Sequence, residues 1–180
     1  MDDFNIKIEY KHVPRFDSGS DESIVYLESE GYVIIKNALT ANEASKTLDL
    51  LWDYLENLGT GIDRTNPLTW SDDKWPTCAH GGIIPSYGIG HSEAQWFVRG
   101  VPNVKKAFAK VWGTDDLLTS FDGVSLWRPW NIDPSWKTQS GQAWFHIDQH
   151  PISKPGKQCI QGLINLLPTS KEIGGNVVIP

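Results

Sequence analysis

The hydrophobic period of this chain changes at Gly113. Before that residue, apolar positions recur at helical steps of three and four. After it, they gather in short apolar and aromatic runs that suit strands. Ala44, Leu48, Leu51, Leu55 and Leu58 form one helical series. Thr40-Ala41-Asn42-Glu43 stands in front of it as a capping box, and Gly59 stands behind it as a stop. Ser92-Glu93-Ala94-Gln95 is a second capping box, opening a helix that is followed by another from Pro102 to Trp112. Ser20 caps a shorter helix that Gly31 ends, and Tyr32-Val33-Ile34-Ile35 reads as a buried strand. Residues 117–127, 144–151, 158–167 and 176–179 read as further strands. Helices first and strands afterwards predict an α+β domain, with outer helices at about 41–58 and 92–112 laid on a sheet built mainly from 117–180.

Residues 1–20 are polar and irregular and read as a mobile arm, which leaves 21–180 as a single domain. A chain of 180 residues is long enough for one real core. Residues 60–91 are rich in glycine and loop-like, and so long an irregular stretch in a compact domain is often functional. A net charge of −6 leaves no nucleic-acid footprint. Neither a basic run nor an apolar stretch of spanning length points to a membrane. The acidic start Met1-Asp2-Asp3-Phe4 lacks the apolar core of a signal peptide. Two cysteines far apart in sequence, Cys78 and Cys159, suit a reduced, cytoplasmic protein.

The chemistry is concentrated in Trp144-Phe145-His146-Ile147-Asp148-Gln149-His150-Pro151. On a strand, His146 and Asp148 point to the same face. An imidazole and a carboxylate converging in this way are two-thirds of the facial triad that holds non-haem Fe(II). His150 shares that face, but an extended strand carries it roughly 13 Å from His146, too far for one metal. It reads as a cleft-rim or solvated side chain. Cys78-Ala79-His80 is too sparse for a zinc site. His80 and His91 read as hydrogen-bonding residues of the glycine-rich loop. Arg128 ends the strand before the H-x-D segment, and either a surface salt bridge or a cationic contact for an acidic ligand suits it.

Three stretches together resemble the phytanoyl-CoA dioxygenase-like family of Fe(II)/2-oxoglutarate oxygenases. They are Gly31-Tyr32-Val33-Ile34-Ile35 with Leu39-Thr40 and the capped helix, the segment from Trp144 to Gln149, and Gln161-Gly162-Leu163-Ile164-Asn165-Leu166 leading into Gly174-Gly175-Asn176-Val177-Val178-Ile179-Pro180. The resemblance covers residues 24–180. It implies a double-stranded β-helix, or jelly roll, with helices outside and the metal inside the open barrel. His146 and Asp148 carry over as metal ligands. The family's second histidine and the arginine that grips 2-oxoglutarate would fall beyond Pro180, so the jelly roll is expected to be C-terminally incomplete.

The resemblance implies a hydroxylase-type oxidation of a small organic substrate, with Fe(II) and 2-oxoglutarate as cofactors and O₂ as co-substrate. This piece by itself is expected to be inactive. Arg128 becomes a candidate contact for the oxoacid. Tyr87, His91 and Trp144 become candidate substrate contacts, and Trp127, Trp130 and Trp144 candidate shields around the oxidising centre. Other functions also suit a jelly roll. One lacking a complete site can serve as a non-catalytic module that binds a sugar or another small molecule. In either case an open sheet edge is expected to drive self-association or to leave the fold marginally stable.

Overall fold

The structure, a computed structural model, describes residues 12–137, 145–170, 173 and 175–179. Four α-helices lie in the first two-thirds of the chain: α1 Asp21–Glu30, α2 Ala41–Glu56, α3 Glu93–Gly100 and α4 Pro102–Trp112. Each begins where the local chemistry says it should. Ser20 accepts from the Ser23 amide at 3.2 Å. Thr40 and Glu43 cap each other reciprocally, the Thr40 amide donating to Glu43 Oε2 at 2.7 Å and the Glu43 amide to Thr40 Oγ1 at 3.2 Å. The Thr40 backbone N–H, and after it the Thr40 hydroxyl, hold the Glu43 carboxyl below the usual carboxylate range. Ser92 accepts from the Gln95 amide at 3.4 Å. Val101 separates α3 from α4, and Pro102 fills the first turn of α4, where no amide is needed. α1 and α4 stop at glycines with left-handed backbone, Gly31 (φ 76°) and Gly113 (φ 70°).

α2 packs along α3, and α3 along α4. Leu51 and Leu55 of α2, Ala94 and Val98 of α3, and Val104 of α4 are buried together with Ile62, Ile84, Ile89 and Val101. At the C-terminal end of α2, Leu55, Ile62 and Trp75 form a cluster bordered by Trp52, Trp70, Leu58 and Leu126. The Trp52 and Trp70 rings lie 5.0 Å apart. Arg64 pins the chain leaving α2 back onto it, donating to Glu56 and Asp53. Leu55 is 2% exposed, so Leu55→Ala should lower the unfolding free energy by about 2–5 kcal/mol, measured by urea denaturation.

Two small sheets tie the helices together. β1 (Arg15–Phe16) runs parallel to β2 (Ile34–Ile35), with Arg15 opposite Ile34. β3 (Ile83–Ile84) runs antiparallel to β4 (Val124–Ser125), with Ile83 opposite Ser125. This second pair carries the loop-rich segment onto the start of the C-terminal third. Leu126 N donates to Gly82 O at 2.7 Å. Any Cβ at position 82 would run into the Trp127 indole, so glycine there lets the ring lie flush on the backbone.

The helices therefore form as expected, α2 ending two residues earlier than the spacing suggests. The strands are shorter. Of residues 32–35 only Ile34–Ile35 pair, and of 117–127 only Val124–Ser125. Among the described residues of 145–150, 158–167 and 175–179 no ladder is formed. A strand is made by its partner as much as by its own sequence, and these apolar segments have no described partner strand. Among the described residues, no helix is long and apolar enough to cross a membrane. Cys78 and Cys159 form no disulfide.

Candidate metal centre

The segment that follows the H-x-D motif is laid on α4. Lys157 Nζ donates to Val111 O at 3.1 Å and stands 5.7 Å from the centre of the Trp112 ring. Gly162 lies against Phe108, so closely that an added Cβ would sit 2.9 Å from Phe108 Cζ. Glycine is what allows this stretch to approach the helix. Gln149 gathers the intervening turn: its Nε2 donates to Lys154 O and Gly156 O, each at 2.5 Å, and its Oε1 accepts from the Gln158 amide at 3.2 Å. Residues 157–162 are thereby folded back toward the motif, and Gln161 Nε2 donates to Asp148 Oδ2.

His146 Nε2 and Asp148 Oδ1 stand 3.4 Å apart. Two ligands at right angles, each about 2.1 Å from one metal, would be about 3 Å apart. The imidazole and carboxylate need only a slight adjustment to share an ion. The other carboxylate oxygen is held by Gln161, as the outer hydrogen bonds of ligating carboxylates require. The donor set of neutral nitrogen and carboxylate oxygen suits Fe(II). These residues fit a metal as an adjacent pair of ligands. Among the described residues no group of three or more histidine, cysteine, aspartate or glutamate side chains gathers to hold one. The pair is open to solvent, its side chains being 41% and 53% exposed. Phe145 and Ile147 beside it are also exposed.

The other candidate residues fall elsewhere. His150 accepts from the Ser153 amide at 3.1 Å through Nδ1, which closes the turn after the motif. Arg128 is committed to packing: Nη1 donates to Trp70 O at 2.6 Å, Nη2 pairs with Asp72 at 2.5 Å, and the guanidinium lies over Trp136 and Trp75. Its side chain is only 13% exposed. It braces the tryptophan cluster, and the salt bridge is the part of the sequence reading that the geometry displays. Tyr87 carries positive φ and is half exposed; its hydroxyl shares a hydrogen bond with Thr77 at 3.1 Å, which lowers its pKa, while its carbonyl accepts from Tyr54. His91 is stacked on Phe121 with ring centres 4.0 Å apart. His80 sits at a left-handed turn position, φ 49°. Trp127 and Trp130 are exposed, and Lys137 Nζ stands 4.7 Å from the Trp130 ring centre. Trp144 lies outside the described residues. The sequence reading gave no role to Gln161 or Gln149. Nothing in local periodicity links positions 148 and 161, and only the fold-back on α4 brings them together.

Two curated proteins show what the chain is similar to. One is the Ava biosynthesis cluster protein O of Aspergillus versicolor, 35% identical over 171 residues, which are 94% of this chain and 52% of that protein. The other is a putative phytanoyl-CoA dioxygenase of Dictyostelium discoideum, 28% identical over 136 residues, which are 73% of this chain and 37% of that protein. The chain thus spans about half the length of the first and just over a third of the second. No family model matches the chain. No solved structure matches it either.

Proposed function

We propose that this chain carries part of the active site of an Fe(II)/2-oxoglutarate-dependent dioxygenase of the phytanoyl-CoA dioxygenase-like family, one that oxidises a small organic substrate. The observation that carries the reading is the convergence of His146 Nε2 and Asp148 Oδ1 to 3.4 Å, with Gln161 holding the far carboxylate oxygen. The likeness to a protein named as a phytanoyl-CoA dioxygenase supports an oxygenase-type enzyme. A jelly roll with α2, α3 and α4 outside it is the architecture that this reading entails.

In it, His146 and Asp148 present two adjacent donors, and Gln161 fixes the carboxylate so that Oδ1 is the oxygen offered. Loaded with Fe(II), 2-oxoglutarate and O₂, such a site supplies the oxidising power for hydroxylation. The reading also calls for a further protein donor, a second histidine, and for a cation that grips the oxoacid. Arg128 is already engaged by Asp72 and Trp70. Tyr87, His91 and Trp144 remain proposed substrate contacts, and Trp127, Trp130 and Trp144 proposed shields around the oxidising centre. A reducing, cytoplasmic setting suits two unpaired cysteines.

Anaerobic Fe(II) titration by calorimetry tests the pair directly. The 180-residue chain should bind one Fe(II) weakly. His146→Ala and Asp148→Ala should each abolish the binding, and Gln161→Leu should weaken it by about 10–100-fold, as loss of an outer hydrogen bond does. Binding that survives His146→Ala would overturn the assignment and favour a sugar- or small-molecule-binding module.

A further inference from the structure

A second feature owes nothing to the metal pair. A shallow, open cleft of about 530 Å³ lies between α4 and the loop at Gly19, and its walls include Lys105, Lys106, Lys110, Thr114 and Asp115. α4 reads Pro-Asn-Val-Lys-Lys-Ala-Phe-Ala-Lys-Val-Trp, three lysines and no acid, within a chain of net charge −6. Lys106 and Lys110 are four residues apart on one face, a spacing at which like charges destabilise a helix. Asp21 of α1 answers Lys110 by an ion pair. Among the described residues, Lys105 and Lys106 form no ion pair.

The loop that carries Gly19 is tied to α4. Ser18 Oγ donates to Asn103 O at 2.5 Å, and Asn103 Nδ2 donates to Asn37 O at 3.3 Å, which staples the loop to the start of α4. The aliphatic stem of Lys106 rests on Gly19: a Cβ there would lie 2.7 Å from Lys106 Cε, and φ is +76°. Glycine thus lets the long side chain lie against the loop, which reduces the freedom it would lose on gripping a ligand. A concave surface with a net excess of positive charge raises the local concentration of anions.

We propose that this cleft binds a compact, multiply charged anion of the phosphate class. Lys105 and Lys106 hold it, Lys110 contributes the share of its charge that Asp21 leaves, and Asp115 limits the anion to the lysine-lined end. The same chemistry is offered by a free phosphorylated small molecule and by a phosphorylated lipid headgroup.

Calorimetric titration with inorganic pyrophosphate at low salt should show one saturable site per chain that weakens as salt is raised. Lys105→Gln/Lys106→Gln should weaken it by about tenfold or more, the loss expected for charge-assisted hydrogen bonds. Lys74→Gln/Lys154→Gln removes the same net charge outside the cleft and should change affinity by less than about twofold. Absence of saturable binding, or equal weakening by both double variants, would overturn the proposal. Sedimentation with phosphatidic-acid vesicles but not phosphatidylcholine vesicles, blocked by pyrophosphate, would identify the headgroup as the source. Saturable pyrophosphate binding without sedimentation would identify the free anion.

Discussion

Succinate release with Fe(II), 2-oxoglutarate and O₂ is expected to stay at background for the 180-residue chain. A longer version, if it supplies a second histidine and an oxoacid-binding arginine, should exceed it by roughly a thousandfold. A metal's charge stabilisation is worth several kcal/mol, and each 1.36 kcal/mol is about a factor of ten in rate. His146→Ala in the longer version should return release to background. The reasoning runs from the donor count. His146 and Asp148 offer one nitrogen and one carboxylate oxygen, 3.4 Å apart, and no further metal-binding group joins them among the described residues. A two-ligand ion in a pair that is about half exposed is held loosely and shielded poorly. Robust turnover by the 180-residue chain would overturn this picture and make His150, His91 and His80 the residues to test as donors. A longer version that binds Fe(II) yet releases no succinate would move the reading toward a binding module.

What could be read from the sequence is what is decided locally. Thr40 with Glu43, and Ser92 at the head of α3, announce their helices because a cap is satisfied within four residues. The closeness of the His146 and Asp148 side chains was legible for the same reason, the residues being two positions apart. Which residues Arg128 would meet was not, because Trp70 and Asp72 lie 58 and 56 residues away. Gln161 reaches Asp148 only because Gly162 lets its segment press against Phe108. Alternation and β-branching describe a surface that would suit a sheet. They do not supply the neighbour that makes one. Val124–Ser125 became a strand where Ile83–Ile84 lay beside it.

That unpartnered surface has a consequence in solution. Leu118, Ile147, Ile152, Leu163, Leu167, Ile173 and Ile179 are each more than half exposed, and all lie after Gly113. Fully burying one such side chain stabilises by about 1.5–3 kcal/mol. Covering only Ile147, Leu163 and Leu167, which are 71%, 58% and 62% exposed, would therefore contribute roughly 3–6 kcal/mol per chain, a sizeable share of the whole stability of a typical domain, about 5–15 kcal/mol. Association offers that cover to both copies at once, against an orientational cost of roughly 4–15 kcal/mol. Analytical ultracentrifugation of the 180-residue chain should show concentration-dependent association at tens of micromolar, the range that a net binding free energy of roughly 6–7 kcal/mol makes visible. A dye for exposed apolar surface should bind strongly. Ile147→Asn, Leu163→Gln and Leu167→Gln combined should shift the chain toward monomer and cut dye binding, leaving α2 and the Leu55 cluster folded by circular dichroism. A chain that stays monomeric and dye-free at every concentration would mean that these side chains are already covered in solution, and the exposed segments would then have to fold onto one another as strands.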